Sequence, residues 1–327
     1  MNDKLRSDDR PIVVLGASGR VGSVVAHQLL KANVGVRAVA RHADKLKELS
    51  EQGAELWPGS LLDQAFLNRA FAGAKAAFVL TPGDTLSPNL HDEQRQYNEH
   101  IVEAIRAAGL THVVFLSSWG AELSDRKGTI YGCYLMETLL NSLPSLNVVH
   151  LRAVWFMDNF IYGIGLIKMA GINGLSIDPD FAFPCIDSRD IGMVAAAYLK
   201  RLDFSGKVIH YLQGPRDYTM NEVTAILGAS IGTPSLRYLK FPKAVMIKGL
   251  KSSGTISANV AQLLAETNER INSSSVHGEP RTAHNTTPTT LDKFAREKFA
   301  PAYSKAPAAT VLQKLQGAFL RIYLSIS

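Results

Sequence analysis

The stretch Val14–Ser23, VLGASGRVGS, places glycines at 16, 19 and 22 in the spacing G-x-x-G-x-x-G. It closes a short β-branched run, PIVVLG from Pro11, and opens a segment from Arg20 whose apolar residues recur at helical spacing. Between a strand and a helix such a turn suits a pyrophosphate. Gly16 permits the tight turn, Gly19 lets the backbone approach the phosphates, and Gly22 lets helix and strand pack closely. The free N–H groups and the positive helix end then face the anion. A glycine turn that serves packing alone is the competing reading, and the strand–turn–helix context favours the phosphate.

The same alternation continues outward. VGVRAVA, AELW, AAFVL, HVVFLSS and NVVHL read as strands, with helices expected from Arg20, Ala43, Asp63, Asn89 and Thr129. Strands joined through helices imply a parallel sheet, because each right-handed crossover needs a helix to return the chain. After Arg152 the pattern loosens into an aromatic stretch, VWFMDNFIYG, and a Gly-rich turn, GINGLSIDPD. A helix from Asp190 to Lys200 and the strand KVIHYL (Lys207–Leu212) are expected to return to the sheet, followed by an amphipathic segment at Asn221–Ile231 and a helix-prone tail. The expected fold is therefore α/β: a doubly wound parallel-sheet Rossmann domain with a smaller mixed α/β C-terminal lobe. Residues 10–155 would form the dinucleotide-binding domain, with 186–212 returning to it, and residues 156–185 and 213–327 a substrate or partner lobe. The polar stretch Asn272–Thr290 is either an ordered surface loop or a disordered one, and no internal repeat is visible.

Composition narrows the class. The 327 residues are 46% hydrophobic and 20% charged, which excludes wholesale disorder, collagen-like chains and disulfide scaffolds. Cys133 and Cys185 form neither a disulfide framework nor a C-x-x-C pair, so a reducing compartment is expected. The polar start MNDKLRSDDR lacks the pattern of a secretory signal, and no apolar run is long enough to span a bilayer; a cytoplasmic protein is expected. The net charge of +6 leaves an anionic cofactor or nucleic acid open.

The second strand indicates which dinucleotide. An NAD site usually offers an acid there to the ribose hydroxyls, whereas a 2′-phosphate requires cations. VGVRAVA runs into Arg41 and His42, with no acid before Asp44, a residue suited to capping the next helix. Arg41 can fork onto a phosphate and Lys45 adds a second charge, so NADP(H) is expected over NAD(H); a merely solvated basic face is the alternative.

These residues resemble the NmrA-like family of atypical short-chain dehydrogenases/reductases. The resemblance runs through GASGRVG, VRAVARHADKL, PGSLLDQAFLNRAFAGAKAAFVLTP, EAIRAAGLTHVVFLSSWGA, LNVVHLRAVWFMDNF and TPTTLDKFAREKFAPAY, in that order over nearly the whole chain. It implies that Ser18, Arg20 and Val21 lie along the pyrophosphate and that Leu80, Thr81 and Pro82 follow the dinucleotide at the end of the fourth strand. Ser117, Trp155, Phe156 and Asn159 would border the nicotinamide. The chain departs from the family at Gly59-Ser60, where relatives commonly have Gly-Asp near the adenine. A weaker contact is expected there.

Catalytic residues are less evident. Better-known short-chain dehydrogenases use a tyrosine with a lysine four positions later. In TIYGCYLMETLL that position holds Leu135 after Tyr131 and Thr138 after Tyr134. Many NmrA-like proteins carry Lys or His four residues before a glutamate on this helix; counting back from Glu137 gives Cys133. Tyr131, Cys133 and Tyr134 are the candidate catalytic positions, each with an ordinary packing alternative. Two functions follow. One is a reductase that passes hydride from NADPH to a quinone-, azo- or carbonyl-type acceptor, with Tyr131, Tyr134 or Ser117 donating to the acceptor oxygen. The other is a non-catalytic NADP(H) sensor with a protein partner, as some members of the family act. His91, His100, His112, His150 and His210 show no metal-ligand spacing, and no metal is expected. The basic run Arg237, Lys240, Lys243, Lys248 and Lys251, interleaved with Tyr238 and Phe241, belongs to no nucleic-acid module, and nucleic acid is an unlikely partner.

Overall fold

The computed structural model describes residues 9–273 and 279–326. Strands and helices alternate as β1 (Ile12–Leu15), α1 (Gly22–Lys31), β2 (Val36–Ala40), α2 (Lys47–Glu51), β3 (Glu55–Pro58), α3 (Gln64–Phe71), β4 (Ala76–Leu80), α4 (Leu90–Ala107), β5 (His112–Ser118), α5 (Tyr131–Asn141) and β6 (Asn147–Ala153). With β10 (Lys207–Leu212) they build a seven-stranded sheet in the order β10-β6-β5-β4-β1-β2-β3, every pair parallel. The order reverses direction between β1 and β4, so a crevice opens beyond their carboxyl ends, where α/β sheets of this kind bind ligands.

A parallel sheet covered on both faces needs apolar side chains on both, and β1 shows how IVVL supplies them. Ile12 and Val14 enter the layer shared with α1 and α7 (Ser188–Arg201), whereas Val13 and Leu15 enter the layer under α3, α4 and α5. All four are fully buried, each contributing about 1.5–3 kcal/mol of transfer free energy. Gly192 lets α7 cross α1 closely, since a Cβ there would stand 2.6 Å from that of Val24.

Beyond Ala153 the chain leaves this sheet. β7 (Trp155–Phe156) joins β9 (Phe183–Ile186) and β11 (Asp217–Tyr218) in a three-stranded sheet, and β8 (Ile172–Leu175) pairs with β12 (Arg237–Lys240). Helices α6 (Ile164–Ala170), α8 (Met220–Ser230), α9 (Lys243–Ser252), α10 (Ala258–Asn272), α11 (Leu291–Phe294), α12 (Ala300–Lys305) and α13 (Val311–Ile326) complete the fold. The chain returns to the main sheet for α7 and β10 as its periodicity predicts. α8 begins with a capping box: Thr219 accepts from the Glu222 amide while the Glu222 carboxylate accepts from the Thr219 amide.

One local expectation is corrected. Asp44 does not cap the element after β2: the chain makes a 3-10 turn at Ala43–Leu46 whose capping residue is His42, with no side-chain cap, before α2 begins. Tyr238 and Phe241, which interleave the basic run in sequence, are buried, and Tyr238 donates to the carbonyls of Leu175 and Ile177. Lys240 and Lys243 pair with Asp178 and Glu269, which neutralises part of that run. Within the polar stretch Asn272–Thr290, residues 274–278 lie outside the described residues. The part from Glu279 onward is an ordered loop bonded to Gln213 through Glu279, Asn285 and Thr287.

Candidate functional site

The turn between β1 and α1 has the geometry of a phosphate cradle. Gly16 lies in the left-handed region at φ +64°, and a Cβ on Gly22 would stand 2.3 Å from the Gly16 carbonyl oxygen, so neither position admits a side chain without shifting the loop. Gly19 donates to the Gly16 carbonyl, and Ser18, Gly19 and Arg20 are exposed. Among the described residues the amides of Arg20, Val21 and Gly22 donate to no protein acceptor, leaving three N–H groups at the amino end of α1 for an anion. Leu80 at the end of β4 packs against this turn, 2.7 Å from where a Gly16 Cβ would stand, so the two strand ends form one edge of the crevice. Thr81 follows, its hydroxyl donating to Asn98 Oδ1 on α4, while Asn98 Nδ2 donates to the Gly132 carbonyl. Asn98 thus ties the Leu80-Thr81-Pro82 segment to the first turn of α5.

Arg41 and Lys45 stand beyond β2, exposed and without an ion pair among the described residues. They present two positive charges beyond the carboxyl end of β2. Ser60 turns its hydroxyl to the amide of Leu62, closing the turn into α3, and the Gly59 site is fixed by the Phe66 ring 2.5 Å from a notional Cβ. Arg20 is held 3.9 Å from the buried carboxylate of Asp158 and 5.0 Å from the Tyr162 ring, joining the phosphate turn to the segment after β7. Asp158 also accepts from the Ser188 amide and lies 3.6 Å from Lys298. Trp155 and Phe156 pair with Cys185 and Ile186, and Asn159 sits in the 3-10 turn that follows. The Trp155 ring meets Phe183 edge-on, and its buried Nε1 donor has no partner among the described residues. The free N–H groups at the amino end of α1 therefore fit the phosphates of a dinucleotide.

An ionic group that the sequence does not announce gathers Arg152, Glu137 and Glu122 at β5 and β6. Arg152 stands beside Ser117 in register and sends Nε and Nη2 to the two Glu137 oxygens at 3.0 and 2.7 Å. Its Nη1 reaches Glu122 and Tyr211. Burial opposes the Arg152 charge, and the Glu137 carboxylate more than offsets this, raising its pKa. Ser117, 3% exposed, donates to Glu137 at 2.5 Å. Its proton is thus committed to the carboxylate, and the expectation that Ser117 donates to an acceptor oxygen does not fit this geometry. One signal was available: Glu137 is the lone charged residue of α5, and Arg152 the lone cation of its strand.

Of the candidate catalytic positions, Cys133 packs on the apolar layer under α5, and burial, reinforced by Glu137, pushes its thiol up to about 12. It stays protonated near neutrality. Tyr131 and Tyr134 stack at 5.7 Å, and among the described residues neither hydroxyl has a hydrogen-bond partner. Both can still donate. His91, His100, His112, His150 and His210 each bond to a neighbour, and no cluster able to hold a metal occurs among the described residues.

A family model described as the NmrA-like family matches residues 8–299. The chain belongs to the NmrA-like family. Among family relatives and other similar proteins, a (4-alkanoyl-5-oxo-2,5-dihydrofuran-3-yl)methyl phosphate reductase of Streptomyces griseus subsp. griseus is 30% identical over 223 residues, covering 68% of this chain and 74% of that protein. An NAD(P)H azoreductase of Xenophilus azovorans is 28% identical over 236 residues, 70% and 76% of the two chains. The fold is also that of an NADPH-dependent quinone oxidoreductase of Escherichia coli solved with NADPH, at TM-score 0.68 and 19% identity over 95% of this chain and 99% of the other. No described helix is long and apolar enough to cross a membrane.

Proposed function

We propose that the chain is an NADPH-dependent reductase that transfers hydride directly to a small quinone-, azo- or carbonyl-type acceptor. The observation that carries this is the phosphate cradle at the β1–β4 crevice together with the unpaired Arg41 and Lys45. Its similarity to the azoreductase supports the reaction class. NADP(H) is the cofactor, held by Gly16, Ser18, Gly19, Arg20, Val21 and Gly22 at the pyrophosphate and by Arg41 and Lys45 at the 2′-phosphate. Leu80, Thr81 and Pro82 follow its length, and Ser117, Trp155, Phe156 and Asn159 border the nicotinamide. Residues 10–155 with 186–212 make the cofactor domain, and 156–185 with 213–327 the lobe that shapes the acceptor site in a cytoplasmic protein.

When bound, NADPH supplies the hydride. The chain's own part is to orient and to stabilise. Tyr131 or Tyr134 donates a hydrogen bond to the acceptor oxygen or nitrogen as negative charge develops, and the balancing proton comes from water. Ser117 donates to Glu137, which leaves its oxygen lone pairs to serve as acceptors. Without a lysine beside a tyrosine, acceptors whose reduced anion is intrinsically stabilised are favoured.

The lack of that lysine and the neutral Cys133 favour a second reading, a cofactor sensor that binds NADP(H) and a protein partner without turnover. Steady-state NADPH oxidation against quinones, azo dyes and aldehydes, paired with calorimetric titration of NADPH and NADH, decides. Turnover selects the reductase; tight NADPH binding without turnover selects the sensor; preference for NADH refutes the role given to Arg41 and Lys45.

A further inference from the structure

The loop between β5 and α5 carries two cations, Arg126 and Lys127, outside the residues proposed to hold the cofactor. Arg126 adopts φ +56°, a left-handed conformation that L side chains rarely take. Its guanidinium lies 5.4 Å from the centre of the Tyr131 ring. Tyr131 in turn stacks on Tyr134, their planes 20° apart, and meets the buried His91 ring at 5.1 Å. His91 Nε2 bonds to the carbonyl of Gly128, which pins the loop to α4.

The surrounding carboxylates are already engaged. Asp125 pairs with Arg270 and Glu122 with Arg152. Glu266 accepts from the Gly128 amide and from Gln262, and Glu93 from the Tyr97 hydroxyl. Arg126 and Lys127 are exposed, and among the described residues neither takes part in an ion pair. The loop leaves the carboxyl end of β5 directly after Ser117 and Ser118, so this cationic, aromatic rim borders the crevice in which the acceptor is proposed to sit.

We infer that the acceptor is planar and carries an anionic substituent, its ring laid along Tyr131 and Tyr134 and its oxyanion met by Arg126 and Lys127. A flat π-system uses the stacked rings, and a guanidinium fork beside a ring face suits a sulfonate, carboxylate or phosphate at the edge of that system. This inference rests on the reductase reading for the ligand's role as acceptor, whereas the platform itself is tested by binding.

Calorimetric titration of the NADPH-loaded full chain with two redox-inert ligands, naphthalenesulfonate and its neutral sulfonamide, tests it. Binding of the sulfonate is expected to be at least about fivefold tighter, an advantage appropriate to two partly solvated charge contacts. The advantage should vanish at high salt and in Arg126→Gln/Lys127→Gln, and Tyr131→Leu should weaken both ligands. Circular dichroism checks that each variant is folded. Equal affinity for the two ligands, no binding of either, or an unchanged double variant overturns the inference. Parallel assays with naphthoquinone and naphthoquinone sulfonate keep the two proposals separate. Sulfonate binding without reduction of either quinone, or of azo and carbonyl acceptors tested alongside them, rejects the reductase and keeps the platform. Reduction of both quinones without a sulfonate preference in binding rejects the platform alone.

Discussion

Gly22 shows how strictly the cradle constrains single residues. A methyl there would meet the backbone oxygen of Gly16 at 2.3 Å, and backbone cannot swing aside as a side chain can. Gly22→Ala is expected to displace the turn and weaken NADPH binding at least about tenfold, read by calorimetry, while circular dichroism still reports a folded chain. Arg41 and Lys45 act by charge instead of shape. Replacing both with alanine should remove about 1.5–3 kcal/mol of charge-assisted contact, a loss of roughly ten- to a hundredfold in NADPH affinity with NADH unchanged. An equal loss for both cofactors would place the 2′-phosphate elsewhere. Glu137 matters differently: Glu137→Gln leaves the buried Arg152 with only part of its compensation and frees the Ser117 proton. A destabilisation of about 3 kcal/mol is expected in urea denaturation.

At the scale of elements, β6 and α5 meet through His150, whose Nε2 donates to Asn141 while Nδ1 is buried without a partner among the described residues. Burial pushes its pKa down to about 4, against the opposing pull of Glu137. The unfolded chain therefore binds the proton more readily than the folded one between pH 6.5 and 4. Stability from the neutral ring is complete above pH 6.5 and is lost as pH falls, by about 3 kcal/mol at the acid end. His150→Gln, which keeps a donor for Asn141, should flatten that part of a pH series of urea melts; an unchanged slope would assign the acid sensitivity to other groups. α10 is fastened across the loops that follow β4 and precede α5. Asn259 accepts from the Leu90 amide, Ser257 donates to the Ser87 carbonyl, and Thr267 accepts from the Thr129 amide. Gly128 makes the last contact possible, at φ +71° and with Thr267 Oγ1 2.7 Å from a notional Cβ. Gly128→Ala should loosen α10, seen as faster amide exchange over residues 258–272 with little change in β1 or β4.

For the molecule as a whole, the sheet was legible because it depends on local periodicity: short β-branched runs, helical segments and a glycine turn at the first crossover. The phosphate cradle was legible for the same reason, its glycines being neighbours in sequence. What escaped depends on long-range contacts. Glu137 and Arg152 meet because α5 packs its Glu137 face against β6, a helix-to-sheet contact that local periodicity does not encode. The buried state of Tyr238 and the fastening of α10 likewise arise from pairings across many tens of residues. The central claim is that this architecture reduces an acceptor with NADPH. A single-turnover experiment tests it most directly: the preformed NADPH complex is mixed with a naphthoquinone and the reduced nicotinamide absorbance is followed. The account predicts its loss in stoichiometric proportion to quinol formed, faster than in the protein-free mixture. Reduced nicotinamide that stays bound and unoxidised in the presence of saturating quinone, azo and carbonyl acceptors would contradict it.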